Sequence, residues 1–258
     1  MKRKLIAFDL DGTLLDEQKQ PLASTIEAIK QLKAQGHAVT IATGRNHLLA
    51  KEVIDAVGFD YAIVCNGSVA LHKDRLLFEQ PLSVDQLAPC LEQLHQDQID
   101  TAFVSLDETK RVTTFNEDVM EEAMRSFGSH LPEYDENFHH HETVYQGLAF
   151  YDETYPIDET AFEGLSFVRW HPKCVDIIPK HGSKAKTLLF LADHLGISRD
   201  DTIAFGDGLN DLEMLSQAGV GIAMGNAKEE VKKCANFVTK TNEDDGIYHA
   251  LVELNLIQ

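Results

Sequence analysis

The sequence predicts an α/β fold: a Rossmann-like core with a parallel sheet, interrupted by an inserted, smaller α/β domain. Three observations carry this. Short apolar runs alternate with segments of helical period up to about residue 67 and again from about residue 184. The stretch between them changes character, with strand-like runs following one another as antiparallel strands do. Small, acidic and amide residues gather where the apolar runs of the outer segments end.

The elements follow in order. LIAFDL reads as a buried strand, apolar on both faces. TIEAIKQLKAQG places Ile26, Ile29 and Leu32 at helical spacing, with Gly36 as the stop. HAVTIATG is a second strand, HLLAKEVIDAVG a second helix and YAIVCNG a third strand. Right-handed crossovers would join these into a parallel sheet. SVALHKDRLLFEQ is a hairpin turning near Lys73 and Asp74. DQLAPCLEQLHQ is a helix with a proline in its first turns. TAFVSLD is a strand and DVMEEAMRSFG a helix, whose acidic residues Glu117, Asp118, Glu121 and Glu122 form a solvated face. VYQGLAFYD, LSFVRWH and CVDIIPK are strands. After Pro179 the first pattern resumes, with a helix over SKAKTLLFLADHLG and a strand over DTIAFGDG. NDLEMLSQAG (helix), VGIAMG (strand), KEEVKKCA (helix), FVTK (strand) and GIYHALVELNL (helix) complete the chain. The expected domains are a core of residues 1–81 and 180–258 and an inserted domain of residues 82–179.

Composition narrows the function. The 258 residues include 42 acidic and 23 basic ones, a formal net charge of −19. Such a surface repels nucleic acid and anionic membrane, and it favours chemistry that uses a divalent cation. No apolar run approaches the length of a membrane span, and the first breaks at Asp9. Cys65, Cys90, Cys174 and Cys234 show no close metal or redox spacing and read as packed thiols. A cytoplasmic setting is expected.

Ligands of open α/β sheets bind at the carboxyl ends of strands. Here five segments bring chemistry to that edge: Asp9-Leu10-Asp11-Gly12-Thr13, Thr43-Gly44-Arg45, Asn66-Gly67, Lys184, and Gly206-Asp207-Gly208-Leu209-Asn210-Asp211. Asp9 and Asp207 offer hard oxygen ligands suited to magnesium. In extended backbone Asp9 and Asp11 share one side. Two carboxylates beside a cation can divide the work on a phosphoryl group, one attacking phosphorus and one exchanging a proton with the leaving oxygen. Gly12 lets backbone N–H groups approach phosphate oxygens. Thr43 and Lys184 supply a hydroxyl and a positive charge for the transition state. Other residues stay open between two readings. Arg45 is a phosphate or substrate contact, or a salt-bridge partner. Asn66 is a ligand-side residue or a turn former. Trp170, between Arg169 and His171, lines a substrate site or covers the core of its own domain. His139, His140 and His141 diverge in either a strand or a helix, which argues against a zinc site.

The set resembles the haloacid dehalogenase-like phosphatases. DLDGT matches their first motif, Thr43 the second-motif threonine, Lys184 the third-motif lysine and GDGLND the fourth motif. The insertion between the second and third motifs is similar to the type IIB cap of the Cof-type subfamily, as are TGR, CNG and GNAKEEVKKCA. The resemblance implies Asp9 as the nucleophile that forms an aspartyl-phosphate. It implies Asp11 as general acid/base, with its backbone carbonyl on Mg2+. Asp9 and Asp207 would ligate the ion and Asp211 would support its shell. Thr43 and Lys184 would hold the phosphoryl group, and Asn210 would orient it or Lys184. Gly12, Thr13, Gly44, Arg45 and Asn66 would line the substrate side, joined from the cap by Arg169 and His171. The implied activity is hydrolysis of a small phosphorylated metabolite such as a sugar phosphate. A phosphomutase and a non-catalytic phosphate-binding protein are the alternatives. One departure stands out: the family commonly has Lys-Gly after the serine, where this chain has Ser183-Lys184-Ala185 after His181-Gly182.

Overall fold

The computed structural model of the protein describes residues 2–258 and separates into two compact units. The first takes residues up to Arg45, Ala50–Phe78 and Ser183–Gln258; the second takes Asn46–Leu49 and Glu79–Gly182.

The first unit is a doubly wound sheet. Its strands are β1 (Leu5–Phe8), β2 (Ala38–Ala42), β3 (Tyr61–Val64), β4 (Val69–His72) and β5 (Arg75–Glu79), and after the insertion β12 (Thr202–Gly206), β13 (Val220–Ala223) and β14 (Phe237–Val238). The spatial order is β14-β13-β12-β1-β2-β3-β4-β5. The run from β14 to β3 is parallel, and β4 returns antiparallel to β3. The helices are α1 (Ala23–Ala34), α2 (His47–Val57, of which the part from Ala50 on belongs to this unit), α6 (Lys184–His194), α7 (Leu212–Gln217), α8 (Glu229–Cys234) and α9 (Gly246–Glu253). Every residue of β1, β2 and β12 is buried, as expected of strands covered on both faces. Leu5 and Ala7 pack with Ala185, Leu188 and Leu191 of α6 and Met214 and Leu215 of α7. The alternate residue Phe8 turns to the other face and stacks on Phe205 at 5.1 Å.

Strand order places the site. β1 sits between β2 and β12, so the order reverses between β1 and β12, where the crevice of such a sheet opens. The register sets Phe8 opposite Phe205. The next residues along the two strands therefore carry Asp9 and Asp207 to the same edge.

The second unit has its own sheet, of β6 (Asp100–Val104), β7 (Thr109–Arg111), β8 (Glu133–Tyr134), β9 (Gln146–Phe150), β10 (Leu165–His171) and β11 (Cys174–Pro179). The order is β10-β11-β9-β6-β7-β8, antiparallel except between β7 and β8. Leu87, Cys90 and Leu94 of α3 (Val84–Gln96) share its core with Phe103, Ala149, Val175 and Ile177. α4 (Glu117–Ser126) buries Met120, Ala123 and Met124 and leaves Glu117, Asp118 and Glu122 exposed.

Three elements here escaped the sequence reading. β7 and β8 are short and polar because they lie at or next to the sheet edge, so they carry no apolar period. The His139–His141 run lies in a single helical turn, α5 (Phe138–His141), anchored by the buried Phe138. His139 packs its ring on Phe103 at 5.2 Å and His141 pairs with Asp135 at 3.2 Å. All four cysteines are free.

Candidate active site

The site is built around one buried ammonium group. Lys184, at the first turn of α6, is 1% exposed, and its Nζ donates to Asp9 Oδ1 at 2.6 Å and Asp211 Oδ1 at 2.8 Å. Ser183 caps the helix by accepting from the Lys186 N–H, which fixes where the lysine enters. The glycine the family places after the lysine is Ala185 here, buried in the core beside Leu188. Burial alone would lower the Lys184 pKa, but Asp211 and Asp9 outweigh it and hold the group charged.

Asp9, Asp207 and Asp211 each offer a carboxylate oxygen within 4.8 Å of the others. The Asp211 carboxylate is fully buried. Its Oδ2 accepts from the N–H groups of Asp207 (3.0 Å) and Gly208 (2.9 Å), which closes the loop after β12. Gly206 has no side chain for the same reason, since a Cβ there would stand 2.6 Å from Asp211. Thr13 donates its hydroxyl to Asp207 Oδ1 at 2.7 Å. Burial, then the Asp211 charge, pushes Asp9 well above the usual carboxylate range, and the same two causes push Asp207 up to about 7. When all three are ionised, three carboxylates against one ammonium leave two negative charges in a confined space, which is why burial and the Asp211 charge favour a proton on Asp9 and Asp207 and why a cation would be held there. A hard dication with oxygen ligands fits that donor set and that charge.

The raised pKa of Asp207 has a direction in stability. The folded group binds a proton more readily than the unfolded one, so its contribution is complete below about pH 4 and drains as pH rises through about 7. In EDTA the melting temperature should therefore fall between pH 5.5 and pH 8, and millimolar magnesium should remove most of the fall. A melting temperature that rises over this window in EDTA, with no response to magnesium, contradicts the assignment.

Asp11 has different company. Arg45 grips it with Nε on Oδ2 (2.8 Å) and Nη2 on Oδ1 (2.7 Å), and Lys19 Nζ reaches Oδ1 at 2.9 Å. Burial pushes this carboxyl up, yet Arg45 and then Lys19 bring it below its ordinary value. Arg45 is therefore a salt-bridge partner of Asp11. Lys19 was not anticipated: it sits in a loop with φ +61° eight residues on, and nothing in its neighbours marks it. Gly12 has φ +85°, and a Cβ there would fall 2.3 Å from the Asp207 carboxylate. Its lack of a side chain makes room for Asp207. Asn226, also unanticipated, donates to Gly12 O at 2.7 Å and steadies the same loop.

Thr43 is 2% exposed and follows β2; its Oγ1 accepts from the Arg45 N–H at 3.1 Å. Asn210 donates to Asn66 Oδ1 at 3.0 Å, and Gly44 lies against the Asn66 amide. Arg169 and His171 lie in the second unit, on β10 at a bulge. The Arg169 guanidinium donates to the carbonyls of Tyr151 (2.7 Å) and Pro172 (3.1 Å) and sits 5.0 Å over the Tyr151 ring. His171 accepts from the Lys173 N–H at 3.2 Å, and burial lowers its pKa. Trp170 packs edge-on to Phe127 within the same unit.

The haloacid dehalogenase-like hydrolase family model matches residues 6–251. The chain is 35% identical to a putative phosphatase of Bacillus subtilis, YkrA, over 100% of both chains. It is 32% identical to the B. subtilis 5-amino-6-(5-phospho-D-ribitylamino)uracil phosphatase YitU, over 98% of this chain and 97% of that one. A solved HAD subclass IIB sugar phosphatase superposes with a TM-score of 0.87 at 28% identity, covering 98% of this chain and 100% of that one. No described helix is long and apolar enough to cross a membrane. With this match across nearly the whole chain and its two-sheet architecture, the protein belongs to the haloacid dehalogenase-like hydrolases, as a phosphatase of the Cof-type subfamily with a type IIB cap.

Proposed function

We propose that this protein hydrolyses phosphate monoesters of small metabolites, with Mg2+ as cofactor and an aspartyl-phosphate on Asp9 as intermediate. The observation that carries the proposal is the cluster of Asp9, Asp207 and Asp211 around Lys184 at the point where the strand order reverses. Side-chain oxygens of Asp9 and Asp207 and the Asp11 carbonyl would hold the ion, with Asp211 supporting them. The bound ion would offset phosphoryl and carboxylate charge and lower the barrier to anion meeting anion.

This chain's residues do the rest. An Asp9 oxygen attacks phosphorus, the ester P–O bond breaks, and the leaving oxygen takes a proton from Asp11. Water then attacks the aspartyl-phosphate, Asp11 recovers the proton, and inorganic phosphate and free Asp9 result. Thr43 and Lys184 hold the phosphoryl oxygens as their charge develops, and Asn210 orients them. For Asp11 to carry a proton, Arg45 and Lys19 must loosen their hold on it when substrate arrives, because together they keep it ionised.

The second unit is the proposed source of substrate selectivity, with residues 82–179 as the specificity cap. There His171 is the proposed contact to the organic part of the ester, and Arg169 shapes the turn that presents it. One relative is named for a ribitylaminouracil phosphate and another for a sugar phosphate, at 32% and 28% identity. They support a soluble phosphorylated metabolite, a sugar phosphate or similar, as the substrate class. The test is turnover of p-nitrophenyl phosphate and of a panel of phosphorylated metabolites, each in magnesium and in EDTA. Magnesium-dependent release of phosphate is expected, with kcat/KM highest for one metabolite group. Equal rates in EDTA and in millimolar magnesium, or no turnover of any ester, would overturn the proposal.

A further inference from the structure

We propose that Asn66 is a positioning residue for phosphoryl transfer, holding Asn210 and the Thr43 loop in place relative to Lys184. The inference rests on the phosphatase reading above and adds a residue to it.

Its basis is an unusual piece of backbone. Cys65, Asn66 and Gly67 take φ values of +50°, +52° and +95°, three consecutive left-handed residues, all buried. That conformation suits glycine and is tolerated by asparagine, but it is unfavourable for cysteine. Such backbone persists where its surroundings over-determine it, and it concentrates at functional sites.

The surroundings here are three loops of the proposed site. Toward the second strand end, the Cys65 N–H donates to Arg45 O and the Asn66 N–H to Thr43 O, both at 2.9 Å. Toward α6, Thr187 donates its hydroxyl to Gly67 O. The approach there is so close that a Cβ on Gly67 would fall 2.3 Å from the Ser183 carbonyl oxygen, immediately before Lys184. Toward the loop after β12, Asn66 Oδ1 accepts from Asn210 Nδ2 at 3.0 Å. The same amide lies where a Cβ on Gly44 would stand 3.2 Å from it.

One left-handed turn thus meets the segments that carry Thr43, Lys184 and Asn210. A plain turn former needs only tolerance of positive φ. Asn66 supplies in addition an acceptor oxygen for Asn210, the neighbour of Asp211. The backbone of the turn sets the spacing of the loops, and the side chain sets the orientation of the Asn210 amide.

The test is a cycle of Asn66→Gly, Asn210→Ala and the double variant, with p-nitrophenyl phosphate in saturating magnesium. Glycine accepts φ +52°, so the turn survives and only the amide is lost. We expect kcat to fall roughly 10- to 100-fold, the usual cost of a small misplacement at a reacting centre. KM should move far less than kcat, because the groups displaced act in the transition state. The melting temperature should stay near that of the wild type. The double variant should be little worse than Asn210→Ala alone, because the two residues act through one contact. A wild-type kcat in Asn66→Gly, or fold-losses that multiply in the double variant, overturns the inference. Should the glycine variant fail to fold, Asn66→Ala, which removes the same acceptor oxygen and keeps the Cβ that asparagine already has, enters the same cycle with the same criterion. Absence of turnover in the wild-type protein would instead sink the phosphatase reading itself, so the two failures are told apart.

Discussion

Asp9→Asn lowers kcat for p-nitrophenyl phosphate by roughly 10⁴-fold or more, the scale seen when an enzyme loses its nucleophile. The amide oxygen can still accept from Lys184, whose Nζ lies 2.6 Å from Asp9 Oδ1, so the local geometry has no reason to collapse. What disappears is the anionic oxygen that bonds to phosphorus. Stability should move the other way. Burial and the Asp211 charge make the ionised Asp9 costly, and both causes act against the charge that the substitution removes. In EDTA the variant should melt at or above the wild-type temperature, and the gain should shrink as the pH is lowered, because protonation of the raised Asp9 carboxyl relieves the same cost in the wild type. Separating activity from stability in this way is the useful feature of the test. More than about 1% of wild-type kcat surviving in the variant would show that another group attacks, against the scale expected for a lost nucleophile.

Much of this site was legible because it lies at strand ends. Asp9 follows an apolar run, and Asp207 follows another. Parallel neighbours in one sheet bring such ends to one edge without any further information. Lys184 was readable from its place before a leucine-rich helix. Contacts that depend on the path of a loop were not legible. Periodicity says nothing of Lys19 reaching back to Asp11, because that contact is made by a left-handed loop residue. The bond from the Thr13 hydroxyl to Asp207, in the loop after β12 and 194 residues further along, could not be read either. The close approach of Gly12 to the Asp207 carboxylate, which its missing side chain permits, was likewise not legible. Of the two readings of Arg45, the fold shows the salt bridge, a bidentate grip on Asp11, and the contact to substrate belongs to the proposal.

The second unit was harder to read for a related reason. Its long strands and both longer helices follow apolar periods, and these were found. Its edge is made of TKR and EY, whose pairing depends on neighbours rather than on pattern. Arg169 was expected on the substrate side. In the fold its guanidinium is occupied by backbone carbonyls and the Tyr151 ring, partners that lie 18 residues away or across a turn.

Lys184→Met should destabilise the core strongly. The side chain is of similar length and fills the same space, so the loss is electrostatic rather than a cavity. It leaves Asp9, 6% exposed, and Asp211, fully buried, facing each other without their shared cation. Breaking a buried ion pair by removing one partner costs about 3–5 kcal/mol. In a chain of this length that corresponds to a drop of roughly 10 °C in melting temperature, taking about 2–4 °C per kcal/mol. Two signatures separate this from ordinary misfolding. The loss should be smaller at pH 5.5 than at pH 8, because a carboxylate deprived of its cation can take up a proton instead. Millimolar magnesium or calcium should restore much of the stability, since a dication bound among Asp9, Asp207 and Asp211 favours the folded state in proportion to its occupancy. Activity should not return with it. The lost ammonium is the proposed donor to the phosphoryl oxygens, and removing one such donor lowers kcat by roughly 10²–10³-fold. Thermal melts across pH and cation concentration, run beside steady-state kinetics, check both halves. A melting temperature unchanged by the substitution would mean that Lys184 does not carry the charge balance of this site. Recovery of kcat together with stability would mean that it does not hold the phosphoryl group.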